Sequence, residues 1–238
     1  MDLYNRNAQP LQKEARVAST ATKQAKVRSK STSSFIKQTY QLVAASLIAA
    51  TTGAYIGMQI APTIVSWYWA LVILEFGVLI GLYFTKDKPG INLAMLFAFT
   101  FLTGLTLTPL LSAILAMPGG ANILTNALLL TAVAVGGLSL FAANTTKDFS
   151  FMGKFLFIAL IVMIVAGVIN IFLGSPLLQV LLAAAGALVF SGFILYDTQN
   201  LIQGAFDSPV EAAIALYLDI LNLFISILQL LGFLGNEE

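Results

Sequence analysis

The chain contains no cysteine and no histidine, and only 10% of its 238 residues are charged. Without cysteine there are no disulfides, no thiolate metal ligands and no thiol nucleophile. Without histidine, imidazole metal sites and the Ser-His-Asp arrangement are excluded as well. Any metal taken up must be a hard cation such as calcium or magnesium, held by oxygen. The shortage of charge is equally informative. Soluble domains average about 25% charged residues, whereas here 58% of the chain is hydrophobic, the composition of a membrane protein. No Gly-x-x-x-x-Gly-Lys phosphate cradle occurs. The basic N-terminal stretch lacks interleaved aromatics, so nucleic acid is not an expected partner.

What is present is a polar stretch followed by a series of apolar blocks. Residues 1–34 carry Arg6, Lys13, Arg16, Lys23, Lys26, Arg28 and Lys30 and read as a basic, disordered cytoplasmic tail able to gain some attraction to anionic lipid. No apolar h-region follows a short basic start, so a cleavable signal peptide is not expected. Residues 35–238 form the membrane domain, with blocks at 38–60, 66–84, 91–116, 121–144, 151–173, 176–203 and 210–234. Each is near the roughly 20 residues that span a bilayer. The breaks carry turn chemistry: Ala61-Pro62, Lys86 to Gly90, Met117 to Gly120, Gly174-Ser175-Pro176, and Gly204 to Pro209. The expected fold is an all-α, seven-transmembrane-helix bundle.

All twelve Lys and Arg lie before the first block through Lys37, in the 2–3 loop (Lys86, Lys88) or around the 4–5 loop (Lys147, Lys154). These positions share one side of a seven-span chain. The positive-inside rule then places the N-terminus in the cytoplasm and Glu237 and Glu238 outside. Gly53-Ala-Tyr-Ile-Gly57 and Gly77-Val-Leu-Ile-Gly81 are small-xxx-small patches suited to close helix packing. Thr100, Thr103, Thr106 and Thr108, followed by Pro109, predict a kinked third span whose hydroxyls bond backbone carbonyls.

Three acidic side chains sit deep inside the apolar blocks: Glu75, Asp197 and Asp219. A carboxylate at the bilayer centre costs about 2.5–3.5 kcal/mol on insertion scales, and such residues mark ion or proton sites by default. At 1.5 Å per residue, Asp197 lies roughly 10 Å, Asp219 roughly 15 Å and Glu75 roughly 16 Å from the cytoplasmic ends of their helices. Asp197-Thr-Gln-Asn200 and Asp219-Ile-Leu-Asn222 each place an amide three residues after the acid, on the same face. The sixth and seventh helices are hairpin neighbours, so Asp197 and Asp219 are expected to meet and to titrate in coupled steps. Protonated, the pair closes the interface by hydrogen bonding. Ionised, it repels itself or captures a cation. Asp197, Asp219 and Glu75 are candidates for part of a calcium shell, with amide oxygens and water completing it. The alternatives are a protonated pair acting only as glue between helices and, for Glu75, pairing with a buried polar group.

Phe193-Ile-Leu-Tyr-Asp-Thr-Gln199 and Ala215-Leu-Tyr-Leu-Asp-Ile-Leu-Asn-Leu-Phe224, with Leu74-Glu-Phe-Gly77 and Phe99-Thr-Phe-Leu-Thr-Gly-Leu-Thr106, carry a resemblance to a known family. Over about residues 35–235 the chain resembles the Bax inhibitor-1 family (transmembrane Bax inhibitor motif proteins) in its short bacterial form. The resemblance implies a seven-helix, pH-sensitive calcium leak in a bacterial inner membrane, with Asp197 and Asp219 as the sensor dyad and Glu75 as the second-helix glutamate. It also implies a basic residue near the end of the second helix that latches a dyad aspartate, and Lys86 falls near that place. Thr146-Lys-Asp-Phe-Ser-Phe-Met-Gly153 looks like a subgroup associated with a membrane-anchored AAA protease, which implies a modulator that works without ion transport. No cofactor is expected to be required beyond calcium as a permeant or bound ion, and the chain is expected to be a monomer or weak homo-oligomer in the bilayer. Enzyme activity is not expected: intramembrane aspartyl proteases carry Gly-x-Gly-Asp where this chain has Leu216-Tyr-Leu-Asp219.

Overall fold

A computed structural model describes residues 32–86 and 88–235. The basic tail up to residue 31 and the acidic C-terminus lie outside the described residues. The helices are α1 (Thr32–Gln59), α2 (Ala61–Ser66), α3 (Tyr68–Thr85), α4 (Ile91–Thr106), α5 (Thr108–Leu115), α6 (Gly120–Asn144), α7 (Met152–Leu173), α8 (Pro176–Gln203) and α9 (Pro209–Gly235). Among the described residues seven spans are long and apolar enough to cross a membrane, α4 and α5 together forming the third. The protein is an integral membrane protein with an all-helical, seven-span fold.

The expected blocks and the helices agree closely from the fourth span onward, and the differences before it have physical causes. The described part of the first helix already includes Thr32 rather than starting at residue 38, and Phe35 and Ile36 in the added turn pack against the core. The Ala61-Pro62 break is itself helical: proline sits at the start of α2, where its missing N–H costs nothing. The kink at Thr108-Pro109 is present as the α4–α5 junction at Leu107. Thr103 donates its hydroxyl to the carbonyl of Thr100 (2.7 Å), as the threonine spacing predicts, and the Thr106 hydroxyl lies 3.1 Å from the carbonyl of Thr103.

Side-chain caps start α8 and α9. Ser175 Oγ accepts from Leu178 N at 3.3 Å to start α8. At the start of α9, Ser208 Oγ accepts from Glu211 N (3.1 Å) while Glu211 Oε2 accepts from Asp207 N (3.1 Å), a capping-box arrangement. Gly204 closes α8 in the left-handed region at φ 74°, a conformation that costs glycine little.

The helix at the centre is α9. It buries residues along its whole length, from Val210 through Ala213, Tyr217 and Leu223 to Gly232, and packs against α8, α6 and α4. By contrast α3 and α7 each bury a single residue, Leu82 and Leu156. Their outer faces show large apolar side chains, among them Ile73, Phe76, Phe157 and Phe172. Exposed apolar area of that extent is a lipid-facing surface. Trp67 and Trp69 at one end of α3 and Tyr83 and Phe84 at the other stand where aromatic belts meet headgroups.

Only one of the two glycine pairs packs on both residues. A Cβ at Gly53 would strike the Phe101 carbonyl, and one at Gly57 the Thr108 hydroxyl, so the first pair lets α1 lie directly on the third span. In the second pair Gly81 abuts Met95, but Gly77 faces open space.

Candidate functional site

Asp197 and Asp219 face each other across the extensive α8–α9 interface. The two carboxyl groups stand within hydrogen-bonding reach of one another. Asp219 is buried, and among the described residues no N–H or O–H donor reaches its Oδ2. Carboxylates only accept hydrogen bonds, so a bond between the two side chains requires that one oxygen carry a proton. Asn200 Nδ2 donates to Asp197 Oδ1 at 3.3 Å, which holds that carboxyl toward α9. The matching amide does not do the same. Asn222 Nδ2 donates to the carbonyl of Leu218 at 2.7 Å on its own helix, so the expected symmetry of two acid–amide stripes is broken.

Glu75 is not the third member of this group. It is half-buried on α3, which packs chiefly on α4, and its Oε2 accepts from Thr106 Oγ1 at 2.7 Å. The hydroxyl intercepts the carboxyl before it can reach α8 or α9. One turn back, the Thr103 hydroxyl bonds the Tyr217 hydroxyl, and Tyr217 is fully buried with its ring edge-on to Phe99. A polar track of Glu75, Thr106, Thr103 and Tyr217 therefore links α3 and α4 to α9. No cluster of three or more potential metal-binding acids occurs among the described residues. The expected three-carboxylate calcium shell is not assembled; two of its members meet and the third is held apart.

Lys86 is likewise not on the dyad. Its ammonium pairs with Asp207 Oδ2 at 3.2 Å, in the loop between α8 and α9. Asp207 lies nearer the headgroup end, where a lysine at the end of α3 reaches it without entering the apolar core.

Sequence reasoning passed over Gln199. This buried side chain accepts from Phe149 N (2.7 Å) and donates to the Lys147 carbonyl (2.7 Å). It ties the loop between α6 and α7 to the helix that carries Asp197. A Cβ at Gly153 would strike the Tyr196 ring, so the start of α7 also lies directly on this segment. Within the loop, Asp148 accepts from Ser150 N at 2.8 Å and from the Ser150 hydroxyl, bonds that hold its carboxyl below the usual range. The signal for Gln199 was its place in Asp197-Thr-Gln-Asn200: a polar run of that length on one helix serves more than one neighbour. The Lys86–Asp207 and Gln199–loop contacts gather the α3–α4, α6–α7 and α8–α9 corners at one end of the bundle.

The family model described as inhibitor of apoptosis-promoting Bax1 matches residues 32–236. An uncharacterized protein of Campylobacter jejuni is 50% identical over 208 residues, 86% of this chain and 90% of that protein. An uncharacterized membrane protein of Vibrio cholerae is 38% identical over 215 residues, 89% of this chain and 94% of its own. The Golgi anti-apoptotic protein of Vaccinia virus is 34% identical over 206 residues, 83% of this chain and 84% of the viral protein.

Proposed function

The chain belongs to the Bax inhibitor family, and from that premise we propose that it is a calcium-permeable leak protein gated by a proton shared between Asp197 and Asp219. The observation that carries this reading is the pair itself: two carboxyls within hydrogen-bonding reach at the closely packed α8–α9 interface of an apolar bundle. With one proton between them the pair joins α8 to α9. When that proton leaves, two like charges face each other in a medium of low dielectric and the interface is driven apart. The freed oxygens then attract a hard cation, and calcium is the cargo this chemistry favours. Flux therefore rises with pH. We place the lysine-bearing corners in the cytoplasm of a bacterial inner membrane, with the C-terminus outside, on the positive-inside rule. The test is calcium flux through purified protein in liposomes over a pH series. Wild-type flux is expected to increase as pH rises, and Asp219→Asn to remove that dependence. An Asp219→Asn protein with unchanged flux and unchanged pH response would end the proposal.

A second reading is favoured by the loop that Gln199 fixes. It ends in Phe151, 77% exposed at the membrane edge. Such a surface suits a modulator that binds a membrane-anchored AAA protease without moving ions. In that case Phe151→Ser abolishes co-purification with the protease and leaves flux intact. The viral relative's anti-apoptotic name, carried to this chain, makes survival under stress the phenotype to score for either reading.

A further inference from the structure

The outer side of α9, away from Asp197, borders a cavity of about 520 Å³ between α1, the third span, α6 and α9. Its wall is apolar: Ala54 and Met58 of α1, Leu107 at the kink, Leu128 of α6, Ile220 and Phe224 of α9. Three of the hydroxyls that border it are bonded elsewhere, and Tyr55 stands at its exposed rim. Thr51 donates to the Leu47 carbonyl at 2.8 Å, Thr131 to the Ala127 carbonyl at 2.7 Å, and Tyr217 is bonded to Thr103. A buried water needs two to four polar partners, and this wall does not present them.

The space is continuous with the lipid-facing surface. Leu47, Tyr55 and Leu128 line it and are exposed on the outside of the bundle, so bilayer chains have direct access. Dimensions choose among apolar occupants. From Leu47 to Met58 the cavity follows α1 for about 16 Å at 1.5 Å per residue. That is close to half of the roughly 30 Å hydrocarbon core, the depth filled by the chains of one leaflet. A partner helix does not fit. At 10–12 Å across and 1.5 Å per residue, about four residues of helix would fill this volume. Apolar cavities of roughly 150 Å³ already accept a benzene molecule, so the volume suits a slender hydrocarbon.

We propose that this cavity is a binding site for one acyl chain of a membrane phospholipid, drawn from the leaflet at the α1 C-terminal end. The chain packs against Ile220 and Phe224 and fills the side of α9 that no other helix covers. Dispersion along the whole wall supplies the affinity, with the α4–α5 kink at Leu107 shaping the inner end.

The experiment uses full-length protein in phosphatidylethanolamine–phosphatidylglycerol vesicles doped with a phospholipid carrying a photoreactive diazirine in one chain. Adducts mapped by mass spectrometry are expected at Ala54, Leu107 and Ile220, competed away by excess unlabelled phospholipid. Phe157 and Phe172, on the open face of α7, label without saturation. Ala132→Phe, which projects bulk into the cavity, removes the Ile220 adduct and leaves Phe172 labelling unchanged. Labelling confined to outer faces overturns the site, as does cavity labelling that unlabelled phospholipid does not compete. Competition by free fatty acid but not by phospholipid overturns the assignment to a phospholipid chain. The wild-type competition decides the matter even if the Phe variant fails to fold.

Discussion

Glu75 and the Asp197–Asp219 pair are all carboxyl groups held inside apolar helices, yet the first meets a neutral hydroxyl and the other two meet each other. Glu75 stands on a peripheral helix with one buried residue, and the pair sits at the packed centre. A carboxyl that accepts from a threonine keeps that bond whether it is charged or replaced by an amide. A carboxyl that faces another acid depends on a proton, and an amide supplies a donor that cannot leave. The position of an acid in the sequence therefore says less about its task than the chemistry of the group it meets.

That contrast can be broken in order of expected effect. The largest is at the pair. Asp197→Ala deprives the buried Asp219 of its partner and is expected to lower stability by about 1–3 kcal/mol, the cost of an unsatisfied buried polar group. Loss of the melting transition in detergent at a lower temperature measures it, and the steepening of calcium flux with pH disappears with it. An intermediate effect is expected at Gln199, whose two loop bonds serve position rather than charge. Gln199→Leu strands the Phe149 N–H and the Lys147 carbonyl, costs about 1–2 kcal/mol and speeds amide exchange at residues 147–151. At Glu75 the change is small. Glu75→Gln keeps an acceptor for Thr106, and a double-mutant cycle of Glu75→Ala with Thr106→Val should give a coupling of about 0.6 kcal/mol, typical of hydrogen bonds between membrane helices. A coupling several times larger would place Glu75 beside the aspartates in importance. Smallest is Lys86→Ala, which removes an ion pair whose acid is 74% exposed; such surface pairs contribute about 0–1 kcal/mol and fade with salt.

The spans and their corners were legible because length, hydropathy and turn residues act along the chain. The meeting of Asp197 with Asp219 was legible because a short loop forces α8 and α9 to be neighbours. Lateral relations were not. In a bilayer the lipid-facing and core-facing sides of a helix are both apolar, so the pattern does not fix which face turns inward. Gly77 looked like a packing residue and faces open space, while Gly53 in the same kind of motif lies against Phe101. For the same reason the sequence left open whether Glu75 joins the aspartates or pairs with a buried polar group, and it bonds Thr106. The three-residue spacing of Thr100, Thr103 and Thr106 aligned hydroxyls on one face, and that was the available sign of where Glu75 and Tyr217 would bond. Asn222 looked equivalent to Asn200, and only the rotation of α9 sends its amide back to Leu218.

The helix at the centre of this bundle follows the others in the chain. During synthesis the earlier spans are made before α9, the helix against which α8, α6 and α4 pack. Asp197 is inserted without its counterpart, and a ribosome stalled before residue 209 leaves it as a lone acid in oil. Addition of α9 supplies the missing carboxyl, so the acid pair forms only as that helix packs into place.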